Sequence, residues 1–480
     1  MNRPIVRLYG LVALLFALLI AFTSRWTVFE ASSLRDNRLN ARTLLEQQRI
    51  DRGPIVAADG SVLARSVRNP EGIYRRTYPD GELFAHAVGY YFTDPDLGAS
   101  GLERSRNKDL SGETTTNLQS VLDQLQGKER RGDRLLTTLD PNAQRVALAA
   151  LGEHKGAVVA LEPRTGAVTV MASSPGYNPN SLRSVKAYEA LTRDSANTPL
   201  VNRATQFGYA PGSSFKVVTA TAAIDTGTFS TESTVDGKND VKISGVPLQN
   251  DENASYGFIT LKDALAHSVN TVWAQVAERL GKDTLARYMT RFGFDRKPRL
   301  DYPSEQMSSS GEYERGRLVS PTSSNVDVGR MGIGQDKLAV TPLQMAEVAA
   351  TVANGGTLMV PHMTRKIVDR EGRTVSTIGA HVQSHVMKQS TAAAVRTMME
   401  AVVNEGTGTT ARIPGVQVAG KTGTAETQIG AAINNVWFIA FAPADNPKVA
   451  IAVTLKGVPG QGASFAAPVA RQVIERLLRD

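Results

Sequence analysis

A serine and a lysine three positions apart form the first chemically suggestive pair in the chain. Ser213 and Lys216 close the stretch Tyr209-Ala-Pro-Gly-Ser-Ser-Phe-Lys216, and an unusually apolar run follows. The Pro-Gly pair interrupts the chain, so Ser213 is predicted to open a buried helix. Residues three apart share a helix face, and a lysine amine held out of water can take the proton of a serine hydroxyl. The pair therefore predicts an activated serine nucleophile.

Two further fragments follow in order along the chain. Ser268-Val-Asn270 comes after a predicted helix at Leu261 to His267, and Lys421-Thr-Gly-Thr424 is predicted to be a strand. Each fragment alone also fits a solvated helix face or a surface turn, because a Ser-x-x-Lys pair occurs by chance roughly once or twice in such a chain. The three together, each in a fitting local context, favour a catalytic constellation.

Composition excludes several classes of protein. The 480 residues suffice for two or three domains, and the absence of cysteine excludes disulfides, thiolate zinc sites and a cysteine nucleophile. The net charge of +8 is scattered along the chain rather than clustered. Scattered basic residues predict a solvated surface and not a nucleic-acid interface.

An uncharged segment lies near the N-terminus. Leu8 to Ser24 is 17 residues long, and Arg3, Arg7 and Arg25 flank it. This length is near the lower limit for a membrane-spanning helix. A cleaved signal peptide is the alternative, but no small-x-small cleavage site follows the segment. We predict a retained single-pass anchor, with the bulk of the chain on the extracytoplasmic side.

The remaining elements have to position the three fragments. Asp51 to Leu63 is predicted to be a hairpin around Asp59-Gly60, and a helix is predicted from an Asp140 N-cap to Gly152. Strands are predicted at 157–161, 167–172, 435–442 and 449–455, with a closing helix at 466–478. Strands at both ends with helices between them predict one antiparallel sheet covered by the first and last helices, plus an all-helical half. Residues 219–280 are predicted to be helical with loops, and 304–325 to be an irregular surface stretch.

The three fragments resemble the signature of penicillin-binding proteins and serine β-lactamases. Similarity to the transpeptidase domain of high-molecular-mass penicillin-binding proteins extends to Asn202-Arg203, Asn178-Pro-Asn180, Thr341-Pro-Leu-Gln344, Gly406-Thr407 and Ala419–Ala425. Three further segments resemble the pedestal of the class B, monofunctional members: Arg52-Gly53, Gly101-Leu-Glu103 and residues 136–144. Within that class the architecture is most similar to the actinobacterial A-type proteins, over about residues 45 to 475.

The resemblance implies an α+β fold of the penicillin-binding-protein and serine β-lactamase type. Its transpeptidase domain would be an antiparallel sheet with helices on both faces plus an all-helical subdomain. The expected domains are a short tail and transmembrane anchor at 1–25, a pedestal at 26–150 and the transpeptidase domain at 151–480. The roughly 125 residues before the transpeptidase domain are too few for a glycosyltransferase domain plus a pedestal.

The resemblance also implies a role for each motif residue. Ser213 would attack the penultimate D-Ala carbonyl of a peptidoglycan stem peptide, with Lys216 as general base. Ser268 would relay the proton toward the leaving D-Ala nitrogen. Asn270 would hydrogen-bond the substrate amide and help fix Lys216. The acyl-enzyme would then pass to an amine of a neighbouring strand, without any metal or organic cofactor.

The third motif would bind the substrate. Lys421 would help hold the terminal carboxylate and tune the proton relay, and Thr422 and Thr424 would offer it their hydroxyls. Gly423 is the remaining substrate-binding position of the motif. The backbone N–H groups of Ser213 and Thr424 would form the oxyanion hole. The implied partners are lipid-linked or nascent peptidoglycan, β-lactam antibiotics, the membrane and a polytopic glycan polymerase of the SEDS type.

Two alternatives remain open from the sequence. With water as the acceptor, the same chemistry would give a D,D-carboxypeptidase or a β-lactamase. A class A β-lactamase would use a glutamate in a Glu-x-x-x-Asn-type motif, and Glu278 lacks that pattern. A non-enzymatic β-lactam sensor or degenerate scaffold is the second alternative, although no motif residue is missing.

Overall fold

A computed structural model of the chain describes residues 3–25, 47–93, 97–113, 131–182, 184–426 and 433–479. The first helix, α1 (Arg3–Ser24), is exposed along its described length, and it is long and apolar enough to cross a membrane. The apolar helix expected near the N-terminus is therefore present.

The helices that follow α1 lie mostly in the second half of the chain. In order they are α2 (Ala85–Val88), α3 (Gly101–Ser105), α4 (Asn107–Leu110), α5 (Pro141–Leu151), α6 (Val185–Arg193), α7 (Lys216–Asp225), α8 (Leu261–Ala266), α9 (Asn270–Leu280), α10 (Lys282–Phe292), α11 (Val328–Gly332), α12 (Pro342–Ala353), α13 (Gln389–Asn404) and α14 (Ala466–Leu477). Short 3-10 turns occur at Pro179–Ser181, Gly212–Phe215, Asp251–Asn253, Ser304–Gln306 and Thr409–Ala411.

The strands form two larger sheets and several short ladders. In order they are β1 (Ile55–Val56), β2 (Val62–Arg68), β3 (Tyr74–Thr77), β4 (Arg134–Thr137), β5 (Gly156–Leu161), β6 (Val168–Ser174), β7 (Thr234–Asp236), β8 (Val241–Ile243), β9 (Val246–Leu248), β10 (Phe258–Thr260), β11 (Gly311–Glu314), β12 (Arg317–Val319), β13 (Leu338–Ala339), β14 (Thr357–Met359), β15 (Thr364–Val368), β16 (Thr374–Thr377), β17 (Val382–His385), β18 (Ala419–Glu426), β19 (Asn434–Ala442) and β20 (Val449–Val458).

An antiparallel sheet in the order β18-β19-β20-β5-β6 carries the C-terminal part of the fold. Successive side chains of a strand point to opposite faces. Val158, Ala160 and Phe438 accordingly join one core cluster, which contains residues of α5 and α14. Val159 and Ile439 face the other cluster, which includes buried residues of α12. This confirms the predicted sheet with helices on both faces and the first and last helices packed together.

The cap of α5 is formed as its sequence predicts. The Asp140 carboxylate accepts hydrogen bonds from the backbone N–H groups of Asn142 and Ala143, and Pro141 occupies the first turn. Pro141 has no N–H to leave unsatisfied there, and the side-chain cap satisfies two of the other free donors at the helix start.

A second sheet, in the order β16-β15-β4-β1-β2-β3, forms the pedestal. The predicted hairpin is present, because β1 and β2 pair antiparallel through Ile55 and Ala64. Two of the strands come from much later in the chain, since β15 pairs with β4 and β16 pairs with β15. No sequence pattern had predicted that residues 364–377 complete a sheet begun at residue 55.

The expected all-helical half also contains short strand pairs. Between residues 219 and 280 the structure has β7 paired with β10 and β8 paired with β9. The stretch at 304–325 was predicted to be irregular and instead contains β11 and β12. In two of these hairpins a two-residue turn has positive φ at both positions, Ser244-Gly245 and Arg315-Gly316. Such turns match the twist of paired strands and stabilise very short ladders.

Candidate active site

The nucleophile candidate lies on a tight turn that precedes a buried helix. The sequence predicted that Ser213 opens the helix, but a 3-10 turn at Gly212–Phe215 comes first and α7 begins at Lys216. Gly212 has a φ of +51°, and a Cβ there would lie 2.5 Å from the Thr424 carbonyl oxygen. Only glycine therefore permits this approach, which brings the serine turn against β18.

Lys216 is fully buried and is held by the second motif. Its Nζ donates hydrogen bonds to the Ser268 carbonyl oxygen at 2.6 Å and to Asn270 Oδ1 at 2.7 Å. The Ser268 Oγ lies 3.3 Å from the same nitrogen. Burial, with a smaller effect of the Lys421 charge, lowers the pKa of Lys216 well below its usual value, while Asp251 opposes the shift. The amine is thus biased toward the neutral form, which can accept a proton.

Lys421 approaches the same serine from the opposite side. Its Nζ donates to Ser268 Oγ at 2.9 Å and to the Thr422 carbonyl oxygen at 3.0 Å. Burial lowers the pKa of Lys421 to about 7. The Ser268 hydroxyl therefore connects two lysine amines whose lowered pKa values favour proton exchange.

Ser268 occupies a strained junction between two helices. Its φ of +57° lies in the left-handed region, which non-glycine residues rarely adopt. The residue falls between α8 and α9, and Asn270 is the first residue of α9. The structure thus confirms the predicted helix-flanking position. Strain of this kind persists only where surrounding contacts fix it, and here it directs the serine between the lysines.

The Lys-Thr-Gly strand is β18, at the edge of the five-stranded sheet. The predicted strand is therefore present, and one side of its backbone has no neighbouring strand among the described residues. Gly423 packs on the serine turn, because a Cβ there would lie 2.6 Å from the Pro211 carbonyl oxygen. Thr422 Oγ1 lies 2.6 Å from Thr407 Oγ1, and Thr424 Oγ1 accepts from the Gly462 N–H at 3.3 Å.

The Ser213 hydroxyl makes no hydrogen bond to another residue that the structure describes. It lies partly exposed at the start of its turn. The first N–H groups of a helical turn lack partners within the turn, so the Ser213 N–H is free to bind an oxygen. The Lys216 amine accordingly has its short hydrogen bonds to Ser268 and Asn270 and none to the Ser213 hydroxyl.

Several supporting residues could not be found as site residues from the sequence. Trp437 Nε1 donates to the Ala210 carbonyl oxygen at 2.9 Å, and Gly212 N–H donates to Gly334 O at 2.9 Å. Thr407 belongs to a Gly-Thr pair that marks the family, but its contact with Thr422 is visible only in three dimensions. The Asn250 Oδ1 accepts a hydrogen bond from the Thr271 N–H at the start of α9, and no sequence signal pointed to Asn250.

Comparison with known families gives the class of protein. Residues 156–475 match the penicillin binding protein transpeptidase domain, and residues 52–135 match the penicillin binding protein A dimerisation domain. The chain belongs to the penicillin-binding protein transpeptidase family.

Individual relatives give a closer match. The chain is 35% identical to the peptidoglycan D,D-transpeptidase PbpA of Mycobacterium tuberculosis, over 100% of this chain and 99% of the relative. It is 34% identical to the PbpA of Mycolicibacterium smegmatis over the full length of both chains. The structure of penicillin-binding protein A from M. tuberculosis as a ceftriaxone acyl-enzyme complex matches with a TM-score of 0.81 and 34% identity, covering 91% of this chain and 100% of that one. The expected similarity to the actinobacterial A-type proteins is confirmed.

Proposed function

We propose that this protein is a serine D,D-transpeptidase that cross-links peptidoglycan stem peptides and is acylated by β-lactams. The observation that carries the proposal is the chain of contacts from Lys216 through Ser268 to Lys421. Two buried amines with lowered pKa values meet at one hydroxyl beside a serine-bearing turn. This arrangement suits proton transfer during acyl exchange on a serine.

The first half of the reaction forms an acyl-enzyme. Lys216 takes the proton of the Ser213 hydroxyl, and the serine oxygen attacks the penultimate D-Ala carbonyl. Ser268 passes a proton to the nitrogen of the leaving D-Ala. Asn270, whose Oδ1 binds the Lys216 amine, also hydrogen-bonds the substrate amide. The geometry supports these assignments because Ser268 and Asn270 both contact the Lys216 amine, three residues after Ser213.

Binding of the substrate falls to β18. Lys421 and the hydroxyls of Thr422 and Thr424 hold the terminal carboxylate, with Gly423 between them in the binding strand. The backbone N–H groups of Ser213 and Thr424 receive the oxyanion. The close packing of Gly212 against Thr424 supports this pairing of donors. Loss of one such donor costs about 3 kcal/mol of transition-state stabilisation.

The second half of the reaction transfers the acyl group to an amine of a neighbouring strand. Water is the competing acceptor and would give a carboxypeptidase or β-lactamase. The relatives named above are transpeptidases, and their similarity to this chain supports an amine acceptor.

A fluorescent penicillin tests this function directly. The purified protein should form an adduct that lasts for hours, and Ser213→Ala should form none. Ser214→Ala is the matched control, because the Ser214 hydroxyl donates to the Pro211 carbonyl oxygen. An adduct that is lost within seconds would contradict a transpeptidase and indicate a β-lactamase. Labelling of Ser213→Ala would contradict the assigned nucleophile.

The chain division that we propose has the anchor at 1–25, the pedestal at 26–150 and the catalytic domain at 151–480. Three elements pack across these boundaries, since α5 lies on the catalytic sheet and β15 and β16 join the pedestal sheet. The anchor would hold the chain in a bacterial membrane with both domains on the extracytoplasmic side, where peptidoglycan is assembled.

We also propose that a separate polytopic glycan polymerase of the SEDS type supplies the strands, with the anchor and pedestal as its docking surfaces. Co-purification of the full-length protein with such a polymerase tests this idea. Failure to detect the complex, together with normal function after α1 is replaced by an unrelated membrane helix, would refute it.

A further inference from the structure

A hydrogen bond between two exposed residues crosses the cleft between the second motif, Ser268-Val-Asn270, and the third, Lys421-Thr-Gly-Thr424. Gln461 Nε2 donates to Asp251 Oδ2 at 3.0 Å. Asp251 lies on the loop after β9, and Gln461 lies on the loop between β20 and α14. The contact therefore joins two loops that are distant in sequence, at the solvent side of the active site.

The loop that carries Asp251 is fixed to the second motif. Asn270 Nδ2 donates to the Gln249 carbonyl oxygen at 3.1 Å. The buried Asn250 accepts from the Thr271 N–H at 3.0 Å, through its Oδ1. Both neighbours on the N-terminal side of Asp251 are thus bound to the start of α9.

The loop that carries Gln461 is fixed to the third motif in a similar way. The N–H of the next residue, Gly462, donates to Thr424 Oγ1 at 3.3 Å. A Cβ on Gly462 would lie 2.7 Å from the Gly423 carbonyl oxygen, so this loop packs directly on β18. The Asp251 carboxylate is consequently held at the exposed mouth of the cleft, between the two motifs.

Asp251 also acts electrostatically on the catalytic amine. Burial and then the Lys421 charge lower the pKa of Lys216, and the Asp251 charge opposes them. Coulomb interactions weaken with distance, so this carboxylate lies near the reacting groups. Lys421, with a pKa of about 7, is partly charged at neutral pH. A cation that enters the cleft is therefore repelled by the buried lysines and attracted by Asp251 at the mouth.

The acceptor of the proposed reaction is such a cation. The inference rests on the proposed function, in which an amine of a neighbouring strand receives the acyl group. A primary alkyl amine has a pKa of about 10.4, as in a lysine side chain, so it arrives as an ammonium ion. Its nitrogen takes the place that the leaving D-Ala nitrogen vacates beside Ser268, because both nitrogens bond to the same carbon. Water, the competing acceptor, carries no charge.

We propose that Asp251 determines acceptor specificity by binding the ammonium group of the acceptor at the mouth of the cleft, which favours aminolysis of the acyl-enzyme over hydrolysis. The ammonium displaces the Gln461 amide from Asp251 and then loses one proton to solvent. The neutral nitrogen attacks the acyl carbon, a C–N bond forms, and the bond from that carbon to the Ser213 oxygen breaks. A second proton of the nitrogen returns through Ser268 and Lys216 to the Ser213 oxygen.

The test measures how one acyl-enzyme divides between two acceptors. Full-length protein in detergent is acylated with an N-acyl-D-Ala thioester, and a peptide with a free lysine side chain is titrated as the acceptor. The ratio of amide to hydrolysed product does not depend on how fast the acyl-enzyme forms. Asp251→Asn should raise the peptide concentration that gives equal amounts of both products by about twofold to fivefold, as for the loss of one exposed ion pair. Rising salt should reduce this difference from the wild type.

Further variants separate the charge of Asp251 from its hydrogen bond. Asp251→Asn can still accept the hydrogen bond from Gln461, whereas Gln461→Ala breaks that bond and retains the carboxylate. Only Asp251→Asn should raise the peptide concentration needed. Asp251→Glu restores the charge and should recover most of the wild-type value. Glu252→Gln is the matched control and should match the wild type, because Glu252 is the neighbouring exposed carboxylate and lies outside the hydrogen bond between the loops.

A second acceptor tests the role of charge in the amine itself. A fluorinated alkylamine that is neutral at pH 7 cannot form an ion pair with Asp251. The Asp251→Asn protein should therefore use this amine as well as the wild type does. An equal loss with the neutral and the cationic amine would overturn the inference, because it would assign Asp251 a structural role.

Two other results would also overturn the inference. One is an unchanged product ratio for Asp251→Asn with the lysine peptide, and the other is an equal rise for Asp251→Asn and Glu252→Gln. Failure of the proposed function gives a different result, because a wild-type protein without transpeptidase activity hydrolyses the thioester, or leaves it intact, and transfers none of it to either amine.

Discussion

Two buried charge clusters of this protein are built in opposite ways. In the pedestal, Glu103 lies between Arg52 and Arg76, and both ion pairs are buried. In the catalytic part, Lys216 and Lys421 are both fully buried, and both contact the Ser268 hydroxyl. Their other hydrogen bonds go to neutral oxygens.

The difference shows how the surroundings of a buried ionisable group decide whether it stays charged or can exchange a proton. In the pedestal the two arginines lower the pKa of Glu103 against the effect of burial, so the carboxylate stays ionised. In the catalytic cluster no carboxylate of the described residues contacts the lysines, and burial lowers the pKa of both. Paired charges keep their ordinary ionisation, whereas a buried amine without a counter-charge is biased toward the neutral form, which can accept a proton.

Removal of the catalytic amine should give the largest effect. Lys216→Met is expected to reduce the second-order rate of acylation by fluorescent penicillin on the order of 10³-fold, because the serine loses its base. The melting temperature should not fall, since a buried amine is replaced by an apolar chain of similar length. A rate within tenfold of the wild type would show that Lys216 is not the base.

Removal of the central pedestal charge should act on stability instead. Glu103→Gln leaves two buried arginines without their carboxylate and is expected to cost about 3–5 kcal/mol of folding free energy. Calorimetry of the full-length protein should show a lower melting temperature. At a temperature where the variant is folded, acylation should proceed at the wild-type rate. Unchanged stability would refute the structural role of the cluster.

The pH dependence of stability should separate the clusters further. Lys421 has a pKa of about 7 in the folded protein and an ordinary, higher value when unfolded. Between these values the unfolded chain binds more protons, so this lysine makes stability rise with pH above 7, by up to about 1.4 kcal/mol per pH unit. Lys421→Met should lose this contribution to the slope. Equal slopes of melting temperature against pH, from 7 to 8.5, would contradict the lowered pKa.

The smallest effect is expected at the edge of the catalytic cluster. Thr407→Val removes the hydroxyl that contacts Thr422 at 2.6 Å and should slow acylation about threefold to tenfold, as for the loss of one neutral hydrogen bond. The exposed Thr409 provides the control, because Thr409→Val should retain the wild-type rate. Equal acylation rates for the two variants would show that Thr407 does not contribute to the active site.

The catalytic cluster could be predicted from sequence far better than the pedestal cluster. The chemistry of the three motifs depends on short spacings, so Ser213 with Lys216 and Ser268 with Asn270 were recognisable within a few residues. Arg52 and Glu103 were recognised only as family motifs, and Arg76 carried no signal. These three residues are far apart in the sequence, so no local pattern indicates that they contact one another.

The secondary-structure elements also differ in how well the sequence predicted them. The strands β5, β6, β19 and β20 are rich in apolar residues and were predicted within a few residues of their observed ends. The short pairs β8–β9 and β11–β12 were missed, because strands of three or four residues have too little periodicity and the turn residues Ser244 and Arg315 are unusual at positive φ. The 3-10 turn before α7 was also missed, since it depends on contact with β18.

The strands β15 and β16 lie late in the chain but belong to the pedestal sheet, so this sheet can be completed only late in synthesis. The strands β1 to β4 are made first, but the sheet is complete only after residue 377 has been synthesised. Until then the side of β4 that later pairs with β15 has no partner, and an open strand edge is prone to pair wrongly. The pedestal therefore cannot mature ahead of the domain that it supports, and a prematurely terminated chain lacks a finished pedestal as well as an active site.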